Sequence, residues 1–218
     1  LHNQWHAEWM DEDPNRFIAF AAIHPSAAEK CLDELKFAKD HGFRGIGEIH
    51  PTAQGFTMKN PWWLKVIEFA IEQNWPVNFH VSEPMGRNHP GRTPTPLEDF
   101  QWLAATYPEL KIILAHWGGL LPFHELNEHV REIFSNVWYD VAASPLLYDS
   151  RVFRAVVDAV GSDKILYGSD YPLLLYPGKS KEPDFISFLE EIKMSGLTDQ
   201  ERQKILGGNF ARLLSLPE

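Results

Sequence analysis

The sequence predicts an α/β fold of the (β/α)8 TIM-barrel type, and three observations carry that reading. Apolar strands and amphipathic helices alternate along the chain, with strand starts about thirty residues apart, the length of one βα unit. The connections are asymmetric. Helix-to-strand links are as short as His41-Gly42 and Asn74-Trp75, whereas strand-to-helix links run through long loops such as Ser82 to Pro94 and Tyr171 to Pro183. Long loops at the C-terminal ends of parallel strands mark the working face of a barrel. Finally, several strands end at that face in a histidine or a carboxylate.

Taken in order, Leu1 to Asp13 carries Trp5, Trp9 and Met10 at helical spacing and reads as the tail of a helix. Arg16 to Ile23 is an apolar strand closed by His24-Pro25. Ser26-Ala-Ala-Glu29 has the form of a capping box, opening a helix that stops at Gly42. Phe43 to Ile49 is the next strand, closed by His50-Pro51. Asn60-Pro61 starts a helix through Gln73, as N-cap and first helical residue. Pro76 to Val81 is a strand, and Thr95-Pro96-Leu97-Glu98 a capped helix start. Lys111 to Ala115 leads into His116-Trp117-Gly118-Gly119, followed by a helix over roughly Pro122 to Phe134. Val137 to Ala143 and Lys164 to Tyr167 are the last two strands, with a helix from Arg151 to Val160 between them. Helices near Asp184 to Met194, and from the box Thr198-x-x-Glu201 to Leu214, close the chain.

That makes six strands where a closed barrel needs eight, and open parallel edges are a liability. The economical reading is that residues 1–218 form a single barrel domain holding strands three to eight, with two units preceding Leu1. An open doubly wound sheet is the alternative.

Composition narrows the function. The net charge of −10 disfavours extended nucleic-acid binding. A single cysteine, Cys31, excludes an internal disulfide and sits in a helical run as a small core residue. No apolar stretch approaches a membrane span, and no secretory signal is visible, which reads as a cytoplasmic protein. Some of the plentiful aromatic residues are candidates for a homodimer interface.

Side chains alternate faces along a strand. Asn78, His80 and Ser82 share a face; so do Ile112, Leu114 and His116, then Leu166, Gly168 and Asp170, and also Ile46, Glu48 and His50. Gly45 and Gly47 lie opposite, where small residues would let a helix pack closely. His24 follows Ile18, Phe20 and Ala22. If these faces point inward, His24, Glu48, His50, His80, His116 and Asp170 meet at one mouth. Histidines with carboxylates are the ligand set for Zn²⁺ and related divalent ions. Asp170 could bind such an ion and take a proton from its water. His24 and His50, each before proline, are candidates for substrate contact, and Trp117 for an aromatic pocket wall. Asp140 could face either way. His41, His89, His124 and His129 read as surface residues.

The motifs PVNFHVSEP around His80, ILAHWGG around His116 and LYGSDYP around Asp170, with the closing GGNFARLL, resemble the amidohydrolase superfamily. The nearest branch is the amidohydrolase-related family of the aminocarboxymuconate-semialdehyde decarboxylase type. The resemblance implies a distorted (β/α)8 barrel. It makes His80 the fifth-strand metal ligand, His116 the sixth-strand histidine, and Asp170 the eighth-strand aspartate that binds metal and moves protons. The His-x-His pair that ends the family's first strand does not occur in residues 1–218. Glu48 in Gly47-Glu48-Ile49 looks like the metal-bridging position of phosphotriesterase-like and TatD-like relatives.

The leading expectation is a metal-dependent hydrolase, with Zn²⁺ or else Mn²⁺, acting on a small carboxylic acid, lactone, amide or ester. Asp170 is its base; His80 and Glu48 are ligands; His116 is a ligand or oxyanion stabiliser. Non-oxidative decarboxylation of an aromatic or unsaturated acid is the alternative. A non-catalytic binding protein on a degenerate barrel is a third reading, motivated by the absent His-x-His pair.

Overall fold

The computed structural model describes residues 2–86 and 92–216. His89, expected at the surface, lies outside the described residues. Five parallel strands form one sheet in sequence order: β1 (Ile46–Ile49), β2 (Pro76–Phe79), β3 (Lys111–Leu114), β4 (Val137–Asp140) and β5 (Ile165–Leu166). The first expected strand is present as an extended segment that makes one parallel bridge, Ala21 to Ile46. Its backbone pairs with β1 through Ala21 N–H to Gly45 O at 2.8 Å and Gly47 N–H to Ala21 O at 3.1 Å. The helices are α1 (His2–Glu12), α2 (Glu29–Asp40), α3 (Pro61–Glu72), α4 (Leu97–Thr106), α5 (Glu128–Ile133), α6 (Ser144–Leu147), α7 (Arg151–Val160), α8 (Phe185–Lys193), α9 (Asp199–Gln203) and α10 (Asn209–Leu213).

The strand registers show which face each residue takes. Phe79 pairs with Leu114, and Leu114 with Tyr139. The Phe79 ring meets Trp63 of α3 and Phe100 of α4, so this row faces the helices. The alternate row, Asn78, Ile113 and Trp138, faces the concave side. There Ile113, Leu166 and Leu213 form a core of their own with Phe20, Trp138 and Phe210. This corrects the face expected for Ile112 and Leu114, which belong to the main core with the helices. Ile46 belongs to that core too. A register shift between Ile46 and Ile49 sends both isoleucines to the helix side, which strict alternation forbids.

The glycines in and just before β1 are small for a reason other than helix packing. A Cβ on Gly45 would lie 2.6 Å from the Phe20 ring, and one on Gly47, at φ 140°, would lie 2.7 Å from Asn78 O. Both neighbours are adjacent extended segments.

Asparagines cap both edges of the sheet. Asn3 of α1 accepts from Ala22 N–H at 2.8 Å and donates to Ala22 O at 2.9 Å. At the other edge, Asn209 donates to the carbonyls of Ser162 and Ile165, both at 2.7 Å. Each side chain supplies the pairing that a further strand would give.

Local signals fared unevenly. Asn60 caps α3 by accepting from Trp62 and Trp63 N–H, and the Thr198–Glu201 box caps α9. The Ser26–Glu29 box does not form. Residues Pro25–Ala27 make a 3-10 turn, and Ala28 at φ 56° separates it from α2. Thr95 accepts from Ser82 N–H at 3.1 Å rather than capping α4. The helix expected from Pro122 is 3-10 as far as Leu126, and α-helix begins only at Glu128, behind the Asn127 cap. No helix among the described residues is long and apolar enough to cross a membrane.

Candidate metal centre

The mouth at the C-terminal ends of the strands gathers three of the expected residues. Glu48 of β1, His80 just after β2 and His116 just after β3 offer ligand atoms that all lie within 4.8 Å of one another. His80 Nδ1 is 3.3 Å and His116 Nε2 is 3.7 Å from Glu48 Oε1. The two ring nitrogens are 3.2 Å apart.

Each arrives by a different backbone route. His80 continues the inward row of Asn78. Glu48 follows the irregular register of β1. His116 lies two residues after Leu114, so alternation alone would turn it toward the helices. It takes φ 58° instead, and Trp117 to Leu120 follow in the same left-handed region. The run reverses the chain and brings the imidazole inward. Two of its residues are glycines; His116, Trp117 and Leu120 adopt the conformation at a cost that surrounding contacts must offset.

Hydrogen bonds fix the imidazoles. His116 Nδ1 faces Ala142 O at 3.0 Å, and a carbonyl can only accept, so Nδ1 carries the proton. Nε2 of the neutral ring is then a lone pair facing His80 and Glu48. His80 Nε2 meets Ser82 Oγ at 3.2 Å. When that nitrogen donates to the hydroxyl, His80 Nδ1 is a lone pair as well. Two imidazole lone pairs and a carboxylate oxygen then converge on one point. Such a set suits a divalent cation, with each ring held by its other nitrogen. Without an ion the same pair can hold a proton on His80 Nδ1 instead; desolvation works to raise the Glu48 carboxyl, but that hydrogen bond and the charge of His80, with His116 and His50 behind it, hold it below the ordinary value.

The other expected residues stand as follows. His50 stacks on His80, with ring centroids 4.7 Å apart. Its Nδ1 accepts from Ala53 N–H at 3.2 Å, which leaves the Nε2–H a buried donor with no partner. Burial, then the neighbouring His80, holds His50 below the ordinary imidazole value. Asp170, at φ 57°, is exposed, and its carboxylate is not among the three converging ligands. His24 is exposed and extended beside the 3-10 turn, not in the cluster. Trp117 corrects the pocket-wall expectation. Its ring is fully buried against Phe153, with Nε1 donating to Ser144 Oγ at 2.9 Å. His41, His124 and His129 are exposed, as expected.

The sequence leaves the face of one carboxylate of the mouth open. Asp140 lies on the concave row of β4, and burial raises it to about 6, against the opposing pull of His116 and the N–H groups of Ala142 and His116. Its only signal is a charge inside the apolar run Val137 to Ala143.

A curved parallel sheet with a histidine-carboxylate mouth is the architecture of metal-dependent barrel enzymes, and comparison with known proteins assigns the class. The chain matches the profile of the amidohydrolase family over residues 1–216 and belongs to that family. It is 25% identical to 2-amino-3-carboxymuconate-6-semialdehyde decarboxylase of Dictyostelium discoideum, covering 96% of this chain and 64% of that protein. It is 24% identical to a 2-keto-4-carboxy-3-hexenedioate hydratase of Sphingobium sp., covering 85% of this chain and 59% of that protein. The chain thus spans less than two thirds of the length of either curated relative. A dihydroxybenzoic acid decarboxylase from Polaromonas sp. JS666, solved with bound manganese and the inhibitor 2-nitroresorcinol, superposes with a TM-score of 0.69 at 18% identity, covering 98% of this chain and 74% of that one. That last likeness is one of fold. The relatives are enzymes of the amidohydrolase superfamily, decarboxylases and hydratases among them.

Proposed function

We propose that the chain carries the metal centre of a lyase that removes CO₂ from a small aromatic or unsaturated carboxylic acid without oxidation. The observation that carries the reading is the convergence of Glu48, His80 and His116, whose ligand atoms lie within 4.8 Å of one another. These three would hold the ion, Mn²⁺ or Zn²⁺. When bound, it supplies a Lewis acid that orients the substrate carboxylate and draws charge from it. The resemblance to a decarboxylase over 96% of this chain favours carbon–carbon cleavage over the hydrolysis first expected.

The residues divide the work. Glu48, His80 and His116 hold the ion, and the Ala142 carbonyl keeps the His116 ring in the tautomer that presents Nε2. The Nε2–H of His50, buried without a partner, would donate to a substrate oxygen. Asp170, on the exposed loop after β5, is the proton source. As the carbon–carbon bond breaks, its electron pair stays on the substrate carbon; that carbon takes a proton relayed from solvent through Asp170, and CO₂ departs.

The test is incubation of the Mn²⁺-loaded protein with a panel of hydroxybenzoic and unsaturated dicarboxylic acids in D₂O. Release of CO₂ with one deuterium entering the product, both abolished by chelation, is the expected result. Turnover that survives in a metal-free sample sinks the reading. A hydrolysis product without CO₂ returns the site to hydrolase chemistry.

A further inference from the structure

Asp140 has no part in the scheme above, yet at 8% exposure it is about as enclosed as His116 and far more so than Glu48 or His80. One of its oxygens, Oδ1, accepts from two backbone N–H groups. The first belongs to His116, at 3.1 Å, and the second to Ala142, at 2.9 Å. The Ala142 carbonyl in turn accepts from the His116 ring at 3.0 Å. One carboxylate oxygen therefore pins both the backbone from which the imidazole hangs and the segment that fixes its tautomer.

The pin is needed because of where His116 sits. The left-handed run from His116 to Leu120 is not a conformation that histidine, tryptophan or leucine chooses unaided. The neighbouring strand end leaves room for the carboxylate. A Cβ on Gly168 would lie 3.5 Å from Asp140 Cγ and 3.2 Å from Ala142 Cβ.

We infer that Asp140 is a positioning residue, holding His116 at the mouth with Nε2 facing His80 and Glu48, and so setting the divalent-cation affinity of the site. The inference rests on the metal reading for its affinity arm only; the ring geometry it describes belongs to the chain alone.

Two variants separate this role from mere filling of space. Asp140→Ala removes the acceptor. Asp140→Asn keeps an oxygen that can take the same two N–H donors. In the metal-free protein, ¹⁵N spectra of the histidine rings should show His116 as the Nδ1–H tautomer in the unaltered chain and in Asp140→Asn, and a mixture in Asp140→Ala. Mn²⁺ titration should show binding weakened about 10–100-fold in Asp140→Ala. Asp140→Asn should bind more tightly than Asp140→Ala by about tenfold, the acceptor having been restored. An unchanged tautomer with unchanged affinity in Asp140→Ala overturns the inference, as does an equal loss in both variants. If Asp140→Ala does not fold, Asp140→Asn still decides: a scrambled His116 tautomer there overturns it. If the unaltered chain binds no Mn²⁺, the metal reading and the affinity arm fall together, while the tautomer result still decides whether Asp140 positions the ring.

Discussion

The two ends of the sheet treat charge in opposite ways. Toward the N-terminal ends of the strands, charges have polar partners, whether buried or exposed. Glu125, fully buried, takes Lys164 Nζ at 2.6 and 2.8 Å and the Tyr139 hydroxyl at 2.6 Å. Asp163 meets Lys204 and Arg212, each at 2.7 Å. Lys111 donates to Leu213 O at 2.9 Å. At the C-terminal mouth, Glu48, His80, His116 and Asp140 crowd together, and among the described residues no lysine or arginine pairs with either carboxylate. Paired charges hold a fold together. A cluster of acceptors without a cation works against stability, and proteins keep such clusters where they bind or react.

The comparison breaks most visibly at the mouth. Glu48→Gln should lower Mn²⁺ affinity about a hundredfold or more, beyond the loss expected for an outer-sphere residue, and abolish CO₂ release. The melting temperature of the metal-free protein should barely move. Calorimetric titration and thermal denaturation read the two effects. A large drop in stability with affinity intact would reverse the assignment of the two ends.

The opposite pattern belongs to the other end. Lys164→Met leaves the Glu125 carboxylate buried without its cation, which should cost about 3–5 kcal/mol in urea denaturation. The double change Glu125→Gln with Lys164→Met should recover most of that, and Mn²⁺ affinity should hold in both. Gly47→Ala should touch both properties. The added Cβ would lie 2.7 Å from the Asn78 carbonyl at φ 140°, so β1 must shift. The expected cost is about 1–3 kcal/mol. Because Glu48 is the next residue, Mn²⁺ affinity should fall as well, and an unchanged affinity would separate strand geometry from the site.

The same contrast explains what the sequence disclosed. Strand-and-helix alternation and the loop asymmetry are set by local patterns, so the sheet order and most helices were legible. Glu48, His80 and His116 were legible as polar residues closing apolar strands. Their routes inward were not. The register shift of β1 and the left-handed run at His116 break the two-residue alternation, so Ile46, Ile112 and Leu114 were assigned to the wrong face. Trp117, next to His116 in sequence, is turned by the same run into the core against Phe153. Asp140 could be named but given no role, because its partners are backbone N–H groups that no side-chain pattern reveals. The Ser26–Glu29 box failed because Ala28 takes a left-handed turn where a box needs continuous helix.

The smallest effect sharpens the comparison from the side of the paired charges. Glu201 of α9 accepts from Arg154 of α7 at 2.9 and 3.1 Å and from Thr198 N–H at 2.7 Å. The Arg154 hydrogen bonds, with that of Thr198, hold it down to about 2. A carboxyl lowered by folding stabilises the native state above the ordinary carboxylate range, and that contribution fades as pH falls toward about 2. The pair is solvent-accessible and screened, so Glu201→Gln should cost no more than about 1 kcal/mol at pH 7. That is about 2–4 °C of melting temperature for a chain of this size. The gap between variant and unaltered protein should narrow between pH 5 and pH 3 by about the part of that range its titration spans, and should narrow again in high salt. A gap that widens with acidification would mean that Glu201 is held by packing rather than by charge. Mn²⁺ affinity should be untouched throughout, because a screened ion pair between α7 and α9 has no route to the lone pairs at the mouth.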